Sequence, residues 1–214
     1  MKKIILFGDS IRLGYENYIK DSLEGIAEVY KAKDTCAFSQ YMLRWVNEWK
    51  LKEGYPDDID LVHWNVGLWD VLRIFDDGTF TSPDYYAQTL QRLERRLRLL
   101  FPKAKQVFAL STAVIEEEYK YPYQRYNKDI ELFNKIAIET LSPLGVEIND
   151  LYTLTKEVPK SCRSDMTHFY TPDGITLLGN KVLDAICKQL AISRSKINDI
   201  SAKVPMLSKK LIGY

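Results

Sequence analysis

The fold is decided near the start of the chain, by the stretch Ile4-Ile5-Leu6-Phe7-Gly8-Asp9-Ser10. A short run that is apolar throughout is typical of a parallel strand covered on both faces. The run therefore predicts a first β-strand, a sharp turn at Gly8, and a helix over about residues 13–23. Ligands in open parallel sheets bind beyond the carboxyl ends of the strands, so the polar residues of this turn are candidates for a functional site.

Further strands alternate with helices along the chain. Apolar runs predict strands over residues 27–32, 59–65, 107–110 and 146–148. Helix starts are indicated at Ser39, at Ser82-Pro83 and at Thr171-Pro172, and an amphipathic pattern predicts another helix over about residues 130–141. This alternation predicts one α/β domain over residues 1–192 with a mainly parallel five-stranded sheet. Residues 193–214 are treated as a C-terminal tail of unknown role.

Composition and charge exclude several classes of protein. The 214 residues carry a formal net charge of +1, with 46% hydrophobic and 28% charged residues, which is typical of a globular domain. A near-neutral chain has no general attraction to nucleic acid or to an anionic membrane surface, so we expect neither partner. The apolar run at the N-terminus is too short for a signal peptide, and no stretch approaches the length of a membrane span. We therefore expect a cytoplasmic protein, while the oligomeric state is left open.

Histidine and cysteine are scarce. The three cysteines, Cys36, Cys162 and Cys187, lack metal-ligand spacing, and their odd number fits poorly with a disulfide framework. Only His63 and His168 are present, so a site that needs several imidazoles is excluded. No P-loop or Gly-x-Gly-x-x-Gly motif occurs, and the acidic run at residues 116–118 lacks a partner histidine, so no metal or nucleotide cofactor is implied. His63 falls within a predicted strand and is interpreted as a packed residue rather than as a second base.

Two motifs together resemble the SGNH/GDSL hydrolase superfamily. Gly8-Asp9-Ser10 directly follows the first strand, and Asp165-Met166-Thr167-His168 directly precedes the last long helix. The resemblance covers about residues 4–190. It implies a three-layer α/β/α, flavodoxin-like fold and the activity of an esterase or acyl-hydrolase.

The residues of the two motifs agree with that chemistry. A serine hydroxyl is a poor nucleophile at neutral pH and needs a base within hydrogen-bond reach. Ser10 is the candidate nucleophile, His168 the candidate base, and Asp165 the carboxylate that would orient the imidazole. The alternative interpretation of Ser10 is a simple helix cap.

The chain matches the remaining motifs of the superfamily less closely. The resemblance implies an oxyanion hole from the N–H of Ser10, from a residue after the second strand, here Ala37 in place of glycine, and from the region of Gly67. There Trp69 replaces the usual asparagine, and Asn65 is the alternative donor. Candidate substrate-binding residues are Asp9, Asp70 and Thr112, although Asp9 is also read as a structural residue of the turn.

The predicted function is a metal-independent serine ester hydrolase. By resemblance to compact members of the superfamily, we favour a small acyl group such as an acetyl group on a carbohydrate. Two alternatives stay open: a non-catalytic or weakly active carbohydrate-binding relative, which the atypical oxyanion residues suggest, and a sugar O-acyltransferase that uses the same triad.

Overall fold

The computed structural model describes residues 1–75 and 77–212. In chain order, the strands are β1 (Lys2–Phe7), β2 (Ala27–Lys31), β3 (Leu61–Trp64), β4 (Arg73–Ile74), β5 (Lys105–Ala109), β6 (Tyr123–Gln124) and β7 (Glu147–Asn149). The helices are α1 (Ser10–Ser22), α2 (Ser39–Glu53), α3 (Pro83–Leu100), α4 (Asn127–Leu141), α5 (Leu151–Lys156), α6 (Pro172–Leu190) and α7 (Val204–Ile212). Short 3-10 turns occur at Glu116–Glu118, Ser142–Leu144, Lys160–Cys162, Arg194–Lys196 and Ser201–Lys203.

Five parallel strands form the central sheet in the order β2-β1-β3-β5-β7. Counting these five alone, the order is that of flavodoxin-like sheets, and it reverses direction between β1 and β3. Ile4 to Phe7 of β1 are fully buried, as the apolar run predicts. The prediction of a mainly parallel five-stranded α/β sheet is confirmed.

Helices cover both faces of the sheet and complete the three layers. On one side α1 packs against α6 and α7, and α6 also contacts β3, β5 and β7. On the other side α3 packs against both α2 and α4. Phe7 meets the rings of Trp49 and Phe101 in this second layer, so aromatic packing joins the carboxyl end of β1 to α2 and to the residue after α3.

Some elements differ from the sequence expectation. The third strand begins at Leu61, two residues later than predicted. The residue before it, Asp60, uses its side chain to accept a hydrogen bond from the Lys3 N–H of β1 at 2.8 Å. The antiparallel ribbon of β4 and β6 was not predicted, since two residues per strand are too few to show an alternating pattern.

The C-terminal segment packs onto the domain. Residues 213 and 214 of the predicted tail lie outside the described residues, but α7 lies against α1 and α6. Ile200, Val204 and Leu207 are buried in the common hydrophobic core. The Asn198 N–H donates to the Ser22 carbonyl at 3.0 Å, which fixes the segment to the end of α1.

Within the described part of the chain, no helix has both the length and the apolar character needed to cross a bilayer.

Candidate active site

Three polar side chains form a continuous hydrogen-bonded chain at the carboxyl edge of the sheet. The Nε2 atom of His168 lies 2.8 Å from the Oγ atom of Ser10. The Nδ1 atom of the same ring lies 2.8 Å from Oδ2 of Asp165. Ser10 opens α1 directly after β1, and the other two residues lie in the loop before α6, so the sequence motifs come together through the sheet topology.

The Asp165 carboxylate is held in its charged form. Partial burial acts to raise the pKa of Asp165, but hydrogen bonds from the His168 ring and from the backbone N–H groups of Thr167 and His168 outweigh it and lower the pKa to about 2. Those N–H groups lie 2.7 and 2.8 Å from Oδ1. An ionised Asp165 fixes Nδ1 as the protonated ring nitrogen, which leaves Nε2 free to accept a proton from Ser10.

Tyr170 contacts both the candidate base, His168, and the candidate nucleophile, Ser10. Its ring stacks on the His168 imidazole, with centroids 4.7 Å apart and an angle of 26° between the planes. Its hydroxyl donates to the Ser10 carbonyl oxygen at 2.7 Å. Sequence reasoning missed this residue, although its position two residues after His168 offered a local signal.

The turn that presents Ser10 is tied to the loop after β2. The Gly8 N–H donates to the Cys36 Sγ atom at 3.0 Å, and the Cys36 N–H donates to the Gly8 carbonyl at 2.8 Å. A Cβ atom at Gly8 would lie 2.1 Å from Oδ1 of Asn65, so only glycine fits between the two strands. This pair of bonds sets Ala37, the next residue, beside the turn.

Ala37 adopts a left-handed backbone conformation with φ of 43°. That region favours glycine, the residue that the superfamily resemblance leads one to expect here, and alanine tolerates it at a cost of about 1 kcal/mol. Among the described residues, no acceptor is present for the backbone N–H of Ala37 or for that of Ser10. Two N–H donors are thus free at the positions where the sequence predicts an oxyanion hole.

The loop after β3 carries the third predicted oxyanion element. Gly67 has φ of 146°, and a Cβ atom there would lie 2.4 Å from the Ser111 Oγ atom, so this position requires glycine. Trp69 is 41% exposed and lines the cleft over Ser10. Asn65 is buried and does not line the cleft, and its side chain makes a hydrogen bond with the Asp9 carboxylate, so the structure does not bring it to the cleft as the alternative donor.

The three predicted substrate-binding residues do not line the cleft. Asp9, Asp70 and Thr112 are at most 1% exposed. Asp9 caps α1 by accepting from the Ile11 N–H at 2.9 Å, and burial raises its pKa against the opposing effects of the Asn65 side chain and of that N–H. These assignments are therefore corrected: polar residues after a strand can point into the protein interior as well as towards a ligand.

Asp70 has a structural role instead. Its carboxylate accepts hydrogen bonds from the Ser39 hydroxyl at 2.6 Å, from the Ser39 N–H at 3.0 Å and from the Thr81 hydroxyl at 2.8 Å. It thereby joins the start of α2 to the segment before α3. Burial raises the pKa of Asp70 to about 6, although all three hydrogen bonds oppose the rise.

His63 is a packed residue, as the sequence indicates. It is fully buried, its ring meets Tyr15 edge to face at 5.8 Å, and burial lowers its pKa to about 3. It is therefore neutral at physiological pH and lies away from Ser10.

A cleft of about 770 Å³ opens over Ser10 and His168. Its walls come from the loop after β3, the segment around β6 and the loop before α6, and include Leu68, Leu72, Tyr119, Tyr123, Arg125 and Met166. Sequence reasoning missed this segment around β6, because its residues reach the site through the short ribbon and carry no motif. Among the described residues, no group of three or more His, Cys, Asp or Glu side chains is placed to hold a metal ion.

Comparison with solved structures identifies the fold. A lipase/acylhydrolase from Enterococcus faecalis aligns with a TM-score of 0.69 and 21% identity over 88% of this chain and 97% of its own. The acetyl xylan esterase AlAXEase aligns with a TM-score of 0.66 and 19% identity over 86% and 99% of the two chains. A member of the lipolytic protein G-D-S-L family from Veillonella parvula aligns with a TM-score of 0.65 and 16% identity over 88% of this chain and 100% of its own.

The chain thus has the SGNH/GDSL hydrolase fold, as the two sequence motifs led us to expect. These structural neighbours are GDSL-type esterases and acylhydrolases. No family model and no curated protein matches the sequence.

Proposed function

We propose that this protein is a serine ester hydrolase that uses Ser10 as nucleophile, His168 as general base and acid, and Asp165 as the residue that orients His168. The observation that carries the proposal is the hydrogen-bonded chain from Asp165 through His168 to Ser10, with both links at 2.8 Å. A nucleophile, a base and an orienting carboxylate within hydrogen-bond distance are the geometric signature of this chemistry.

Each catalytic step has a residue suited to it. The Ser10 Oγ atom attacks the ester carbonyl carbon while His168 Nε2 takes its proton, and the alcohol leaves with that proton. The acyl-enzyme is then hydrolysed by a water molecule that His168 deprotonates. Asp165 stabilises the imidazolium in both steps. The N–H groups of Ser10 and Ala37 donate to the oxyanion, and the first lies at the N-terminus of α1, where partial positive charge favours an anion.

For the substrate we propose a small acyl ester, with an acetylated carbohydrate as the preferred class. The open cleft is lined by Trp69, Tyr119 and Tyr123, which can pack against the apolar face of a sugar. A fold neighbour described as an acetyl xylan esterase supports the same class.

The test is hydrolysis of p-nitrophenyl acetate by the purified protein. Ser10→Ala is expected to lower kcat by at least about 10³-fold, because Ser10 supplies the hydroxyl that lies against His168 Nε2. Ser142→Ala serves as the matched control, since Ser142 is exposed and does not line the cleft, and it is expected to keep wild-type activity. Activity that survives Ser10→Ala would refute the proposal.

The two alternative functions have their own signatures. An O-acyltransferase gives an acetylated sugar when an acetyl donor and a sugar acceptor are supplied together. A non-catalytic binding relative binds sugar equally well before and after Ser10→Ala and hydrolyses no ester.

A further inference from the structure

Arg125 is a buried cation in the wall of the proposed active-site cleft. It follows β6 directly and is only 9% exposed, yet it lines the same cleft as Ser10 and His168. Its Nε atom donates to the Leu68 carbonyl at 2.6 Å, and its Nη1 atom donates to the Tyr119 hydroxyl at 3.1 Å. Both acceptors are neutral.

The guanidinium makes no contact with a carboxylate in the part of the chain that the structure describes. Among the described residues, no Asp or Glu forms an ion pair with Arg125, and its Nη2 atom donates no hydrogen bond. The nearby carboxylates make their contacts elsewhere: Asp165 pairs with His168, and Glu118 pairs with Lys160 at 2.9 Å. Buried Asp9 interacts with Arg125 only through space, since its hydrogen bonds come from the Ile11 N–H and the Asn65 side chain. Burial of a charge is unfavourable unless a counter-charge or a full set of hydrogen bonds compensates it.

Two aromatic rings hold the guanidinium in place. The Arg125 Cζ atom lies 5.8 Å from the Trp69 ring centroid and 5.7 Å from that of Tyr119. Cation–π contacts of this kind offset part of the desolvation cost and fix the plane of the group. They leave its remaining N–H donors available to a ligand in the cleft.

We propose that Arg125 binds an anionic group of the substrate, and that the natural ester therefore carries a carboxylate or a phosphate close to the scissile bond. The planar fork of an arginine matches the paired oxygens of either group. This inference rests on the proposed ester hydrolysis and adds the substrate class: an acidic ester, such as an acetylated sugar that bears a carboxylate or phosphate. Trp69 and Tyr119 then act as positioning residues for Arg125.

The proposal is tested with two acetyl esters that differ only in charge. The anionic ester is 3-acetoxybenzoate, and its neutral counterpart is methyl 3-acetoxybenzoate; 3-acetoxyphenyl phosphate distinguishes a phosphate preference from a carboxylate preference. For the wild-type protein we expect kcat/KM for the better anionic ester to exceed that for the neutral ester by about 10- to 100-fold, the usual contribution of a charge-assisted hydrogen bond.

Arg125→Gln should remove this preference, so that the ratio of kcat/KM for the anionic ester to that for the neutral ester falls to about one, because only the anion uses the charge. Arg92→Gln is the matched control for the loss of one positive charge, since Arg92 is exposed on α3 outside the cleft, and it should preserve the preference. If the wild type hydrolyses both esters with equal kcat/KM, the proposal is overturned. An equal fall on both esters in Arg125→Gln would also overturn it, and would place Arg125 at the oxyanion or in the framework.

A binding measurement separates this inference from the proposed function and needs no Arg125 variant. Binding to the Ser10→Ala protein is measured by the quenching of tryptophan fluorescence, to which Trp69 in the cleft contributes. We expect 3-hydroxybenzoate or 3-hydroxyphenyl phosphate to bind at least about 10-fold more tightly than methyl 3-hydroxybenzoate. If neither ester is hydrolysed by the wild type but the anion binds preferentially, the proposed function fails and the anion site stands. No preference between the charged and neutral ligands would overturn the anion site.

Discussion

Replacement of Asp70 by asparagine should change how the stability of the protein depends on pH. Asp70 is 0% exposed, and burial raises its pKa from 3.8 to about 6 in the folded protein. The folded state therefore holds a proton on this carboxyl over a pH range in which the unfolded state has lost it. The contribution of Asp70 to stability is fully present below about pH 3.8 and is lost as the pH rises through about 6.

The size of the effect follows from the same two values. A pKa shift of this size changes the free energy of unfolding by roughly 3 kcal/mol between pH values well below the unfolded-state pKa and well above the folded-state pKa. The assay is urea denaturation of the wild type and of Asp70→Asn at several pH values between about 4 and 8. The free energy of unfolding of the wild type, relative to that of the variant, is expected to fall by about 2.4 kcal/mol from about pH 4 to about pH 7, because part of the effect lies below about pH 4.

Comparison between variants removes the contributions of other carboxyls, including Asp165, whose lowered pKa acts in the opposite direction at lower pH. Asp57→Asn is the control for the loss of one carboxylate, since the Asp57 side chain is 87% exposed. A difference between wild type and Asp70→Asn that stays constant over this range would refute the reasoning, as would a relative gain of wild-type stability with rising pH.

Substitutions at two further positions test the geometry around the nucleophile. Ala37→Gly relieves the left-handed strain but makes the unfolded chain more flexible, so the free energy of unfolding in urea should change by less than about 1 kcal/mol and esterase activity should be retained. Ala37→Val should lower the free energy of unfolding by about 1–2 kcal/mol and remove most of kcat, because a β-branched side chain fits the left-handed conformation poorly. Tyr170→Phe removes the hydrogen bond to the Ser10 carbonyl but keeps the ring on His168; we expect a loss of about 1 kcal/mol of stability and a severalfold lower kcat at unchanged KM, while a pure rise in KM would contradict a positioning role.

The sequence predicts well those features that depend on residues close together in the chain. The apolar run of β1 and the turn at Gly8 form one continuous segment, and Asp165 and His168 lie three residues apart, so their geometry needs little from the rest of the chain. The left-handed backbone at Ala37 also fits the position assigned from the resemblance, although alanine itself gives no sign of that conformation.

Features that depend on distant contacts were missed or misassigned. Asp70 follows a strand like a ligand-binding residue, but its partners, Ser39 and Thr81, are set by the packing of two helices, which spacing does not reveal. Arg125 reaches the cleft through a two-residue strand with no recognisable pattern. The apolar spacing of α7 was a usable signal, yet its partners on α1 and α6 become evident only in the folded domain.

Covalent labelling of Ser10 tests the central claim most directly. The protein is treated with ethyl p-nitrophenyl methylphosphonate, which reacts with serines activated by a neighbouring base, and the adduct is located by peptide mass mapping. We predict one adduct, on Ser10, in the wild type and its loss in both Ser10→Ala and His168→Ala. An unmodified Ser10, or an adduct that forms on Ser10 equally fast in His168→Ala, would contradict the assignment of an activated serine to this site.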